Sequence, residues 1–391
     1  MKHLFFLYSM MSFIGVATAG CDDAGGSNSA RENSAKLCKD NEDNDGDGAV
    51  DCDDVECAAF KTCNPVSDAV VADISGMPIP PVDDVSAPSN GTGHLEILDW
   101  AGFEAAVTYT FDDSHPSHIE HYDALQATGV SMTFFVVNAT ATDTEAWSKA
   151  VEDGHELGNH TAHHCHQNLS GDCAFGDPLD SADAELGACS ELITDEFGQE
   201  GVWSMAAPYG EPWWAPFGEA FVLMNRTVNS GAIPPNGNNN PLYLPSVMVS
   251  GGARVDTLND HIDQVQADGE WLIFCFHAIS PTSESSSGAV HIDAITGSID
   301  HGKALETVWM DSMVNIGAYW LGQRILSSVT PEEEGERTVW RWALPDHFPP
   351  GKYLRVTVDG GTLSQNDKVL SWSPHGYYEV ALDDGVLTLT P

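Results

Sequence analysis

Two adjacent carboxylates, Asp112 and Asp113, end the apolar run Val107–Phe111 in the segment VTYTFDDSHP. Asp-Asp-Ser is good turn material, so the pair could be no more than the end of a strand. A chemical role needs partners, and HELGNHTAHHCH supplies them, crowding His155, His160, His163, His164 and His166 into one stretch. His160 and His164 are four positions apart, which lets two imidazoles meet one ion on a helical or turn-like segment. Two histidines and one carboxylate form a three-ligand catalytic metal set with an open position. If Asp113 is that carboxylate, Asp112 stands beside the ion without binding it, where a general base for water belongs. Taken singly, each residue reads as ordinary polar structure. Together they point to metal-assisted hydrolysis, with zinc the first choice and cobalt or nickel compatible with the same donors.

The surrounding text predicts the elements that would position these groups. AAVTYTF, VSMTFFVV and WLIFCFHAI read as strands, the last fully apolar. HIEHYDALQATG sets Ile119, Tyr122 and Leu125 at helical spacing with Gly129 as a stop, and EAWSKAVEDG reads as a helix ending at Gly154. ALETVWMDSMVNIGAYWLGQRILSS reads as one long amphipathic helix. Strands alternating with helices indicate parallel βαβ units, and reactive residues at strand C-terminal ends are what a β/α barrel predicts. After Thr330 the segments RTVWRWAL, KYLRVTV, GYYEVAL and GVLTLTP are short and separated by turn residues, the texture of a small antiparallel β module. Its Trp340, Trp342, Trp372, Tyr377 and Tyr378 could stack on sugar rings or form its core.

Upstream, Lys2 and the apolar run Leu4–Val16 read as an export signal over residues 1–20, the run being too short for a convincing transmembrane helix. Ala17 and Ala19 fit ordinary signal cleavage. TAGC, Thr18–Cys21, resembles a bacterial lipoprotein box, which would place lipid on Cys21 and the protein on a membrane surface. The expected location is a surface or periplasmic lipoprotein, or a secreted protein. Nine cysteines is an odd number; with Cys21 lipidated, Cys38, Cys52, Cys57, Cys63, Cys165, Cys173, Cys189 and Cys275 remain, which suits disulfides in an exported chain. In DNDGDGAVDCDD, the carboxylates Asp43, Asp45, Asp47, Asp51 and Asp54 around Gly48 resemble a calcium loop of the EF-hand or thrombospondin type 3 kind; an acidic tether is the alternative. Residues 21–63 thus read as a tether with a Cys-rich, calcium-loop-like module, and the Pro-, Ser- and Asp-rich residues 64–93 as a linker. With 59 acidic residues against 15 Lys plus Arg, a formal charge of -44 argues against nucleic acid as a partner and disfavours polyanionic substrates.

TFDDS followed by HTAHH, with GVSMTFFVV and DGHELGNHT between, resembles the first two motifs of the polysaccharide deacetylases, the family-four carbohydrate esterases with the NodB-homology fold. The resemblance covers residues 94–328, the expected catalytic domain, and leaves 329–391 as the β module. It implies an α/β fold, a distorted (β/α) barrel of the polysaccharide deacetylase type. It also implies Asp112 as base and Asp113, His160 and His164 as metal ligands. AAPYG, Ala206–Gly210, corresponds to the third motif: Pro208 and Tyr209 match, and the Tyr209 backbone N–H would help hold an oxyanion. Ala206 stands where the family often has the Arg that steadies the base, so the partner of Asp112 is left open. CFH, Cys275–His277, matches the fifth motif, with His277 as general acid and Cys275 replacing the usual Leu. For the acid that orients His277, Asp256 and Asp263 are candidates and read equally as surface acids. A bridge from Cys165 to Cys173 or Cys189 would shape the pocket rim.

The activity so implied is metal-dependent hydrolysis of N-acetyl groups on a carbohydrate such as chitin oligosaccharide or peptidoglycan, releasing acetate. The cationic product would not be repelled by an acidic protein. The alternatives are an acetyl xylan-type esterase, a non-sugar amide hydrolase on the same fold, or a non-catalytic surface glycan-binding protein, for which Ala206 is the supporting feature.

Overall fold

A computed structural model of the chain describes residues 50, 73–89, 93–171, 173–281 and 288–391. The export signal, Cys21, the calcium-loop carboxylates Asp43, Asp45, Asp47, Asp51 and Asp54, and Cys38, Cys52, Cys57 and Cys63 lie outside the described residues. Residues 69–391 form one compact unit.

Its frame is a curled, all-parallel eight-stranded sheet. In chain order the strands are β1 (Ala105–Phe111), β2 (Thr133–Val136), β3 (Glu156–Asn159), β4 (Ser204–Ala206), β5 (Met224–Arg226), β6 (Val247–Met248), β7 (Trp271–Phe276) and β8 (Val308–Met310). Their spatial order is β5-β4-β3-β2-β1-β7-β6, with β8 also paired to β1. All seven residues of β1 are buried, as expected for a central parallel strand covered on both faces. Its first half pairs with β8 (Val308 opposite Ala105) and its last residues with β2 (Thr110 opposite Thr133). On its other side the whole strand is in register with β7 from Ala106–Trp271 to Phe111–Phe276. That register brings Asp112 and His277, the residues that follow the two strands, to the same end of the sheet.

The stretch expected as one long helix is divided. A helix at Ile292–Ala304 ends before Leu305, β8 takes up Val308–Met310, and a second helix runs from Met313 to Ser328. Glu306 has φ +59 and breaks the first helix. The β-branched and aromatic Val308-Trp309-Met310 then enters the sheet, and the Ser312 hydroxyl caps the next helix at Asn315 N. The continuous apolar content of this stretch hid the change of period. Likewise HIEHYDALQATG forms two short helices, Pro116–Glu120 and Tyr122–Gln126, rather than one.

The four predicted C-terminal strands form as Arg337–Arg341, Tyr353–Val358, Tyr377–Ala381 and Val386–Thr390, in two antiparallel sheets. Leu95–Ile97, from the other end of the described unit, pairs with Tyr353–Val358. These sheets share one apolar core with the back of the barrel: Leu354, Val356 and Leu382 pack with Trp271, Trp320 and Ile316. Gly322 lets the Met313–Ser328 helix approach closely, since a Cβ there would meet Leu382 Cδ1 at 2.6 Å. Trp340, Tyr377 and Tyr378 are buried in this region, so they act as core; Trp342 and Trp372 are partly buried against it. The fully buried Arg355 ties residues 73–89, expected as linker, to the sheets. Its guanidinium donates to the Met77, Pro78 and Ala101 carbonyls and to Glu379.

Candidate metal centre and active site

Asp112 and Asp113 leave β1 at the carboxyl end of the sheet. Asp112 N donates to the Phe276 carbonyl at 2.9 Å, which fixes the first carboxylate beside β7. Asp113 (φ +73) and Ser114 (φ +47) both adopt left-handed backbone, turning the chain sharply so that neighbouring carboxylates face one space. Ser114 Oγ accepts from Val137 N at 2.8 Å, and the Asp113 carbonyl accepts from Thr140 Oγ1 at 2.9 Å, holding the turn to the end of β2.

His160 follows β3 directly, and its N–H donates to the Val136 carbonyl. The segment to His164 is a turn, not a helix: Thr161 has φ +68 and His164 φ +53. Asn159 Oδ1 accepts from Thr161 N, and Thr161 Oγ1 accepts from His164 N. Glu185, buried in the helix Ala182–Glu191, accepts from His163 N and pairs with His163 Nδ1. A Cys165–Cys173 disulfide closes the loop just beyond; Cys189 and Cys275 are free and buried. Of the two partners considered for Cys165, the bridge takes Cys173.

Donor atoms of Asp113, His160 and His164 lie within 4.8 Å of one another. Asp113 Oδ1 is 3.4 Å from His160 Nε2 and 3.6 Å from His164 Nε2. A tetrahedral zinc ion with bonds of about 2.0–2.2 Å would separate its ligand atoms by roughly 3.3 Å, so the spacing suits a shared cation. Asp113 Oδ1 and His160 Nε2 are buried with no hydrogen-bond partner, a costly arrangement without an ion between them. The other nitrogen, His160 Nδ1, bonds the Ala206 carbonyl at 2.8 Å. A carbonyl only accepts, so Nδ1 carries hydrogen, and in the neutral ring Nε2 presents its lone pair to the ion. Burial lowers His164 to about 4, keeping that ring neutral as well. Burial would raise Asp113, but the adjoining His160 and His164 imidazoles hold its carboxyl well below the usual carboxylate range. The remaining histidines of the cluster are engaged elsewhere: His155 with Gln126 and Met132 N, His163 with Glu185, His166 with Glu211.

Asp112 is buried 3.8 Å from His160 Nε2. Its partner was not legible in the sequence. Arg226, the last residue of β5, reaches both carboxylate oxygens through Nη2, at 2.6 Å for Oδ1 and closer still for Oδ2. Ala206 and Arg226 are register partners on adjacent strands, so the guanidinium arrives one strand over from where the motif would carry it. Arg226 is itself buried, with its guanidinium 5.2 Å from the Phe135 ring centre. Burial alone would raise the Asp112 pKa; the Arg226 charge outweighs it and brings the carboxyl below its ordinary value.

His277 follows β7 and lines the same cleft, about 360 Å³ in volume, as Asp112, Asp113, His160, His164 and Tyr209. Neither proposed orienting acid is placed to serve it: Asp256 pairs with Arg254 in solvent, and Asp263 bonds His301. The buried His118 instead bonds the His277 carbonyl at 2.5 Å, and Ser117 Oγ accepts from Ile279 N, bracing the backbone that follows the cleft histidine. Tyr209 has φ +57; its ring lies 4.4 Å from that of His164 and stacks on His166 at 3.6 Å.

Residues 103–216 of the chain match the family model described as polysaccharide deacetylase. No curated protein matches the sequence. Among solved structures, the chain is similar to a polysaccharide deacetylase from Mycobacterium smegmatis, described as putative, at 16% identity and TM-score 0.41, covering 64% of this chain and 99% of that one. It is also similar to a family 4 acetyl xylan esterase from Clostridium thermocellum solved with a cobalt ion, at 16% identity and TM-score 0.37 over 56% and 91% of the two chains. A peptidoglycan N-acetylglucosamine deacetylase gives 17% identity and TM-score 0.35 over 55% and 93%.

The Arg226–Asp112 pair predicts a pH effect. Replacing Arg226 by Met removes the positive charge beside a buried carboxylate, which favours the protonated acid and raises its pKa. The acid limb of any turnover that needs ionised Asp112 then moves to higher pH by about 1–3 units, while Arg226→Lys, which keeps the charge, moves it less. The pH profile of kcat/KM for the two variants and the parent checks this.

Proposed function

We propose that the protein is a metal-dependent deacetylase that hydrolyses N-acetyl groups of a carbohydrate, of the chitin oligosaccharide or peptidoglycan type, and releases acetate. The observation that carries the reading is the convergence of Asp113, His160 and His164 donors beside a buried Asp112 that Arg226 keeps ionised. The family match over residues 103–216 supports the carbohydrate class.

When bound by Asp113, His160 and His164, a divalent cation supplies Lewis acidity, acidifying water and polarising an acetyl carbonyl; zinc, cobalt or nickel suits these donors. Asp112, kept anionic by Arg226, takes the proton of the attacking water. The Tyr209 N–H donates toward the oxygen that becomes negative as the carbonyl is attacked. His277 protonates the departing nitrogen. An amine leaves as a strong base unless it is protonated, whereas an alcohol depends on this less, so a cleft histidine facing Asp112 favours the amide over the ester. In this reading the enzyme is exported, and lipid on Cys21 tethers it to a membrane.

The test is acetate release from N-acetylated chitooligosaccharides and from acetylated xylan, each with and without chelator. Chelator-sensitive release from the amide substrates is the expected result. Release from xylan alone would transfer the proposal to ester hydrolysis, and glycan binding without release from either would overturn it in favour of a binding protein.

A further inference from the structure

The cleft holds a second set of donors beside the first. Asp112, Cys275 and His277 present a carboxylate oxygen, a thiol sulfur and an imidazole nitrogen within 4.8 Å of one another. Register places them there: Cys275 lies opposite Thr110, and Asp112 and His277 follow the paired ends Phe111 and Phe276. Cys275 and Asp112 are buried, and the thiol sulfur lies 3.6 Å from Asp112 Oδ2. Arg226 occupies part of the Asp112 carboxylate, but an ionised carboxylate offers about four lone-pair sites. A thiolate, an imidazole and a carboxylate form a soft, a borderline and a hard donor, and the thiolate favours thiophilic ions such as cadmium or zinc over magnesium or calcium.

We propose that Asp112, Cys275 and His277 form a second, weaker site for a thiophilic divalent cation, and that occupying it inhibits the enzyme. Binding breaks the Cys275 S–H bond as the sulfur–metal bond forms, and the proton is released to solvent. Uptake therefore strengthens as pH rises. The Arg226 charge, together with a cation held by Asp113, His160 and His164, opposes a second positive ion and makes this the weaker site. The inhibitory part rests on the proposed function: a cation here would engage both the group that accepts the water proton and the group that protonates the leaving nitrogen.

The experiment titrates metal-stripped full-length protein with cadmium ion. It follows the ultraviolet thiolate-to-cadmium charge-transfer band, the bound-metal stoichiometry and the pH dependence of uptake. The parent protein is expected to bind one equivalent more than Cys275→Ser and to show a band component that this variant lacks. His277→Ala, which leaves the thiol in place, should weaken the same uptake by at least about tenfold, and His160→Ala should leave the band intact. In the acetate assay, cadmium or zinc beyond the first equivalent should suppress turnover of the parent. A band and stoichiometry unchanged by Cys275→Ser, or by His277→Ala if the serine variant does not fold, would overturn the site. If no acetate is released from any substrate, the spectroscopic result still decides whether the site exists, and only the inhibitory role falls with the proposed function.

Discussion

Asp112→Asn is expected to reduce kcat by about a thousandfold, near the middle of the range for removal of a positioned general base, while bound metal stays at the parent level. Asparagine has nearly the same shape, so the buried space beside Arg226 and Cys275 remains filled. What disappears is the proton acceptor. The amide cannot take a proton from water at neutral pH, whereas the parent carboxylate is held ionised by Arg226 against the cost of burial. Steady-state acetate release and elemental analysis of the same preparation separate the two effects. Turnover within about tenfold of the parent would remove Asp112 from the role of base. Loss of metal along with turnover would instead make Asp112 a ligand.

His160→Ala is expected to lose both metal and turnover, the latter to the level of the chelated parent. His160 contributes one of the three converging donors, and its opposite nitrogen is fixed to the Ala206 carbonyl, which aims the ring at the shared space. His164→Ala should do the same, although that ring is slightly more exposed and is held by ring contacts such as that with Tyr209 rather than by a side-chain hydrogen bond. Chelation of the parent should abolish acetate release, and added zinc or cobalt should restore it in the parent and not in the variants. Retention in His160→Ala of a full metal equivalent that a further Cys275→Ser change does not remove would show that the cation sits elsewhere.

The parts of this site that were legible in the sequence are those carried by local text. A β-branched run ending in two acids, and two histidines four apart, each sit on one continuous segment, and the strands they follow are adjacent through β2. Arg226 was illegible because nothing in MNRTVNS distinguishes it from a surface arginine; it meets Asp112 across 114 residues of chain only because β5 lies beside β4 in register. The same lateral logic explains why Asp256 and Asp263 failed as partners for His277. They were candidates only for the acid that the resemblance implies, and in their helix, Val255–Asp268, Asp256 pairs with Arg254 and Asp263 bonds His301. In the fold, the alternation of strands and helices was readable up to the point where apolar content stopped marking period. There Val308–Met310 passed for helix, because a fully buried strand and a buried helix have similar composition. The C-terminal strands were readable from their turns, whereas their packing was not: the residues that join them to the barrel, Leu354, Val356 and Arg355, look like any alternating strand until the Met313–Ser328 helix is laid against them.

The most direct test of the central claim is anomalous diffraction at the zinc edge from crystals of the zinc-loaded protein. The expected result is a peak bonded to one carboxylate oxygen of Asp113 and to Nε2 of His160 and of His164, at about 2.0–2.2 Å, with Asp112 outside the bonding distance and still paired with Arg226. A strong peak away from these three residues, or one that takes Asp112 in place of Asp113, would contradict it.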